Sequence, residues 1–218
     1  MNAKKSKDVI MIVAILAMIS LTACAVRKGP LLVGAEYEVP QGLAPSASKV
    51  VVGLSPFQDS RGGKLSVVGI RETDTGQFEN DLVIQGTVPN LVTTAFSDAL
   101  KARKIIVKDI PAWDLKIEHL NANDVNIVLG GTVTSLWTKV VTKPLNVTTH
   151  VDVSVHAVLV DAREKKVFRV LDMHGTYDSQ DITFNSDMVG QALSAALSST
   201  IDQLMNDPEF KKKYNNSK

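Results

Sequence analysis

Apolar positions recur along this chain with two different periods, and the change of period marks the elements. Val50-Val51-Val52-Gly53-Leu54 is an unbroken, largely β-branched run that stops at Ser55-Pro56, the pattern of a short buried strand. A polar, glycine-punctuated stretch from 58 to 87 follows, opening with Gln58-Asp59-Ser60-Arg61-Gly62-Gly63. It is expected to be a long loop, functional or poorly ordered, inside which Lys64 to Ile70 could form a hairpin arm. Leu91, Val92, Ala95, Phe96, Ala99 and Leu100 then fall three and four apart, with Pro89 in the first turn and Lys101, Arg103 and Lys104 at the far end. This spacing predicts an amphipathic helix over 89–103, its basic end suited to the helix dipole. Ile105-Ile106-Val107 begins another strand.

From Asn123 the period shortens to two. The run from Val125 to Trp137 is apolar around Gly130-Gly131, a pair that hints at a bulge or bend. Between 147 and 160, Val151, Val153, Val155, Ala157 and Leu159 alternate with His150, Asp152, Ser154 and His156. The polar turn 161–166 leads into a return strand from Val167 to Tyr177, so 125–141, 147–160 and 167–177 form an antiparallel meander. Helical spacing resumes at Met188, Val189, Ala192, Leu193, Ala196, Leu197, Ile201, Leu204 and Met205, with Asn185 or Ser186 as cap and Asp207-Pro208 as stop. The order predicts one α+β domain over 49–210: a mixed, mainly antiparallel sheet with two amphipathic helices packed on one face. Residues 211–218 read as a solvated polar tail, and no internal repeat is present.

The first residues belong to neither pattern. Lys4, Lys5 and Lys7 precede an unbroken apolar run from Ile10 to Ile19, which is half the length of about twenty that a spanning helix needs. That is the proportion of a secretory signal, assigned to residues 1–23. It ends in Leu21-Thr22-Ala23-Cys24, which closely resembles the lipobox of bacterial lipoproteins. In that motif Leu21, Thr22 and Ala23 are the peptidase-recognition residues, and the Cys24 thiol takes a thioether-linked diacylglycerol. Further acylation, as with palmitate, brings the anchor to two or three chains, where a single chain holds only marginally. Residues 24–48, with Gly29-Pro30, Pro40-Gln41-Gly42 and Pro45-Ser46, read as the lipidated cysteine and a flexible tether reaching about 25–30 Å.

Composition narrows the rest. Cys24 is the single cysteine, so neither an intramolecular disulfide nor a cysteine zinc site is available. The chain carries 24 basic and 23 acidic side chains, and loss of the leader leaves it close to neutral, which gives no electrostatic reason to expect nucleic acid. His150 and His156 share a strand face but lie about 20 Å apart, too far to share a metal from that strand alone. His150, Asp152 and Ser154 project side by side from a flat strand with no glycine-rich nucleophile turn, so they read as a polar solvent face. His119 and His174 read as isolated. No glycine spacing makes a phosphate loop, and no acidic spacing makes a calcium loop. No catalytic, cofactor or metal residues are therefore assigned. Asp59 and Arg61 in the loop, with His150, Asp152 and His156 on the strand face, are the candidates for partner contact.

These features resemble the YajG family of small outer-membrane lipoproteins. The likeness covers most of 49–208 and rests on the lipobox cysteine, the strand Val50 to Leu54, and Asp59-Ser60-Arg61 as that family's Asp-x-Arg loop. It continues through the helix at 89–103, the strand Val151-Asp152-Val153-Ser154-Val155 and the C-terminal helix. A weaker, fold-level similarity extends to CsgG-type envelope lipoproteins. The resemblance implies a periplasm-facing lipoprotein of the outer membrane. Ala25, standing where aspartate would retain a lipoprotein at the inner membrane under enteric rules, agrees with that location. The expected function is non-enzymatic: protein contacts in envelope assembly or maintenance, with an envelope protein or a second copy as partner and the membrane held through the N-terminal lipid. The alternatives are a subunit of an oligomeric secretion or transport assembly, and a small-molecule or lipid binder. Cys24→Ala is expected to release the protein from membranes and leave the precursor uncleaved. Fractionation and N-terminal mass spectrometry check this, and maturation at residue 24 in the variant would contradict the lipobox reading.

Overall fold

The computed structural model describes residues 29–42 and 49–215; the signal segment, the lipobox and Cys24 lie outside the described residues. In chain order the elements are β1 (Leu31–Leu32), β2 (Val51–Leu54), β3 (Gln58–Asp59), β4 (Val67–Thr73), β5 (Phe78–Val83) and α1 (Val88–Ala102). They continue with β6 (Ile106–Asp109), a 3-10 turn (Ile117–His119), β7 (Ile127–Thr142), β8 (Val147–Asp161), β9 (Lys166–Asp181), α2 (Ser186–Asn206) and α3 (Pro208–Asn215). The class is α+β, as the two periods predict.

β7 is the spine of the sheet. One edge pairs antiparallel with β8 from Ile127 opposite Asp161 to Thr142 opposite Val147, and β8 pairs likewise with β9. The other edge takes three parallel strands in succession: β2 at Val52–Leu54, β3 at Gln58–Asp59 and β4 at Gly69–Thr73. β6 extends the sheet beyond β2, while β5 and then β1 extend it beyond β4. The irregularity in β7 falls between Val133 and Ser135, just beyond the Gly130-Gly131 pair. Thr134 is the extra residue, and it shifts the alternation so that Leu136 and Val140 return to the core side.

Helices α1 and α2 cover one face. Thr87 caps α1 by accepting from the Asn90 N–H, with Pro89 in the first turn where no intrahelical donor is needed. Asn185 caps α2 through the Asp187 N–H. Phe96 and Leu100 of α1 and Leu193, Leu197 and Leu204 of α2 are fully buried against Leu129, Leu136, Val153 and Leu159 of the sheet. Phe57 stacks on Phe96 with ring centroids 4.6 Å apart. A second, smaller core lies on the opposite face, where the crossover after β6 folds Ile110, Trp113 and Val125 onto Val128, Val158 and Val160.

Three expectations change. The polar stretch 58–87 is not a long loop: it holds β3 and the β4–β5 hairpin. Its alternation was obscured by glycine, and Gly69 is required there, since β4 approaches β7 so closely that a Cβ would overlap the Thr138 carbonyl. The segment read as a tether is docked where it is described. β1 pairs parallel with β5, Val33 and Tyr37 are buried, and the Glu36 and Glu38 N–H groups donate to Ser194 and Ser198 of α2 at 3.0 and 2.7 Å. The C-terminal tail is also structured through Asn215. α3 buries Phe210 and Tyr214 in edge-to-face contact, and its Lys213 pairs with Asp161 at 2.5 Å. Short apolar content concealed both segments, since two or three buried side chains are too few to produce a period.

A charged cluster fixes the docked N-terminal segment. The Tyr37 hydroxyl donates to Asp202 of α2 at 2.7 Å and accepts from Arg103 at 2.9 Å, while Arg103 also bonds Asp202 at 2.9 Å. Burial is the main reason that the Tyr37 phenol is pushed from 10.0 up to about 12. A raised folded pKa means that the contribution is complete below the unfolded value of 10.0 and is lost as pH rises towards about 12. Tyr37→Phe is expected to cost about 1.5–3 kcal/mol at neutral pH through its bonds to charged groups. The difference from wild type should shrink across that alkaline window, as urea unfolding at both pH values would show.

Candidate functional site

Among the described residues, the face of the sheet away from α1 and α2 is only half covered. The Trp113 cluster shields the end formed by the first part of β7 and the last part of β8. Beyond the Thr134 bulge the outward positions are Ser135, Trp137 and Lys139 on β7, and they stand opposite Ser154, Asp152 and His150 on β8. β9 continues the rows, with Asp172, His174, Thr176 and Asp178 opposite His156, Ser154, Asp152 and His150. Register and alternation together bring these side chains onto one open surface.

Cross-strand pairs organise it. His150 Nδ1 lies 2.7 Å from Asp178, and His156 Nδ1 lies 2.6 Å from Asp172. His174 Nδ1 lies 3.0 Å from the Ser154 hydroxyl and 3.4 Å from the Asp152 carboxylate. His174 is thus part of the row and not isolated. His119 is paired too, at 2.7 Å from Asp114, which raises the imidazole pKa by its hydrogen bond. Ser154, His174 and Asp152 contain the residue types of a catalytic triad but not its wiring. Hydroxyl and carboxylate both address the same ring nitrogen, whereas a relay needs the orienting acid on one nitrogen and the nucleophile on the other. Asp172 and Asp178 are exposed, so solvent competes for their contacts with the histidines and little folding energy depends on them. Among the described residues no three His, Cys, Asp or Glu side chains converge as a metal would require.

Asp59 and Arg61 have a different role from the free contact residues expected of a loop. They form a two-point pair at 2.9 and 2.8 Å, with side chains only 7% and 8% exposed. Arg61 Nη1 also donates to the carbonyls of Val67 and Leu136, at 3.0 and 3.2 Å. The hydrogen bond from Arg61 is the main reason that the Asp59 carboxyl is held below its usual value of 3.8, against the opposing effect of burial. The pair staples the start of the 60–67 loop to β7 beside the bulge. A cavity of about 360 Å³ lies at this junction, lined by Arg61, Lys64, Asp81, Thr134, Ser135 and Trp137 among others. Trp137 is 42% exposed and stands between the cavity and Asp152. Trp137, Asp172, His174 and Asp178 are therefore the site residues that periodicity did not single out. The alternating polar row in β9 was the available signal for the last three.

No protein-family model and no curated protein matches the chain. Among solved structures, protein XCC0632 of Xanthomonas campestris, of the family DUF330, aligns over 84% of this chain and 93% of its own, with 13% identity and a TM-score of 0.49. The protein CT253 of Chlamydia trachomatis aligns over 78% of this chain and all of its own, at 12% identity and a TM-score of 0.42. Lipoprotein GNA1162 of Neisseria meningitidis aligns over 72% and 99%, at 17% identity and a TM-score of 0.34. Scores of this size transfer neither activity nor partner. Among the described residues no helix is long and apolar enough to cross a membrane.

Asp59→Asn should leave the Arg61 charge buried without its counter-ion and destabilise the fold by roughly 3–5 kcal/mol. In wild type the contribution of Asp59 is complete above 3.8 and is lost as pH falls through its lower folded value. Urea unfolding at neutral and acid pH should therefore show the two proteins converging in acid.

Proposed function

We propose that this chain is a lipid-anchored lipoprotein of the outer membrane that faces the periplasm and works without catalysis. It acts by protein contacts in envelope assembly or maintenance, with no cofactor and no nucleic-acid partner. The observation that carries this reading is the open half of the sheet, where a partly exposed Trp137 lies beside rows of cross-strand histidine and aspartate pairs. An indole surrounded by satisfied polar groups is the composition of a contact surface, with an aromatic anchor and a polar rim. The imidazole–carboxylate pairs present donors and acceptors at fixed positions, which favours register with one partner over strong, nonspecific adhesion. The lipobox at Leu21-Thr22-Ala23-Cys24 supplies the anchor.

The cavity beside Trp137 favours a second reading, a small-molecule binder, since an indole wall with a few polar groups is a common pocket composition. A photo-crosslinking residue introduced at Trp137 or His174 in living cells separates the two. The contact reading expects one discrete protein adduct at both positions and none from the same residue at Glu164 in the distant β8–β9 turn. Absence of any adduct, with a ligand retained by the wild-type protein in native mass spectra, would favour the binder instead.

A further inference from the structure

The docked N-terminal segment places Gly29 at one end of the sheet. The Asn80 side chain donates to the Gly29 carbonyl at 2.8 Å, and β1 runs parallel to β5. Gly29 and Pro30 therefore lie beside the start of β5, at the end of the sheet that carries Phe78 and the 74–77 turn. The same end of the sheet carries two further connections. Thr73 of β4 pairs with Thr142 of β7, Thr142 pairs with Val147 across the β7–β8 turn, and Val147 pairs with Asp181 at the end of β9. The β4–β5 turn, the β7–β8 turn and the link from β9 into α2 thus form one rim.

That rim carries the two most exposed large apolar side chains among the described residues. Leu145, in the β7–β8 turn, is 87% exposed, and Ile182, just after β9, is 86% exposed. Phe78 and Met188, at the starts of β5 and α2, are also exposed. Five residue steps separate Cys24 from Gly29, a reach of at most about 18 Å even when fully extended.

Resting on the lipoprotein reading of Cys24, we infer that this rim docks on the bilayer itself, with Leu145 and Ile182 entering the interfacial layer beside the anchor. A lipidated Cys24 lies at the headgroups, and so short a connection keeps Gly29 close to them. The apolar tips then find a partner for their exposed surface where the chain length already places them. The lipid chains and the apolar tips together provide two membrane signals. Lys143 is adjacent to Leu145 and long enough to keep its charge in the headgroup layer. Asp74 and Asp181 offset it, so apolar contact and not net charge carries the docking.

The test uses full-length, lipidated protein in vesicles of phosphatidylethanolamine and phosphatidylglycerol. Leu145→Cys, Ile182→Cys and, at the opposite end, Glu164→Cys are each labelled with an environment-sensitive fluorophore. The thioether at Cys24 leaves the introduced thiol as the only one that reacts. Labels at 145 and 182 are expected to shift to the blue and to be quenched several-fold more by nitroxide-bearing lipid than the label at 164. Water-like emission at all three, on protein whose lipidated N-terminus is confirmed by mass spectrometry, overturns the docking rim alone. A blue shift without lipid quenching means burial against protein and also overturns it. An unmodified Cys24 overturns the anchor and the rim together.

Discussion

Both edges of β7 are occupied, and the arrangement of the molecule depends on that double commitment. β8 runs along the whole of one edge, interrupted at the Thr134 bulge, while β2, β3 and β4 share the other in order. A strand used in this way cannot slip by one residue without turning every side chain to the wrong face on both sides at once. The Thr134 bulge reconciles the two halves, changing the alternation where β3 gives way to β4. Gly131 and Gly69 are placed where neighbouring chains leave no room for a Cβ, at the His156 and Thr138 carbonyls respectively. The spine is set by close packing and register more than by the propensity of any one residue.

The helix layer and the N-terminal segment complete that frame. α2 buries Leu193, Leu197 and Leu204 against the sheet, and the serines at 194 and 198 receive the backbone of residues 36 and 38. Arg103 joins the end of α1 to the last turns of α2 through Asp202 and includes Tyr37 in the same cluster. A segment with few apolar residues is thereby held by hydrogen bonds to groups that are themselves fixed. The docked β1 also fixes Gly29 beside the start of β5, where its carbonyl accepts from Asn80.

The two faces of the sheet divide the work. On the helix side nearly every side chain is committed to the core. On the other side the Trp113 cluster closes one end, and the rest is left to paired histidines, aspartates and Trp137. Solvent-screened pairs contribute little to stability, so side chains on that surface can be replaced without unfolding the domain. The Asp59–Arg61 pair belongs to the frame instead, since its burial makes it a support for the cavity wall.

Several features were legible from residue order. The alternation from Val147 to Val160 sets out β8 and its polar row, the three-and-four spacing marks α1 and α2, and Asn185 reads as a cap of α2. The α+β class follows from those two periods. What escaped had no period to read: β1 and β3 are two residues each, β4 and β5 are broken by register shifts, and α3 buries only Phe210 and Tyr214. The candidate site divided in the same way. His150, Asp152 and His156 could be placed on one face from β8 alone. Their partners Asp178, His174 and Asp172 depend on the β8–β9 register, and the burial of Asp59 and Arg61 depends on where the 60–67 loop meets β7. Local spacing determines which side of a strand a residue occupies. Only the tertiary structure decides what stands opposite it, because that choice is made by residues distant in the chain.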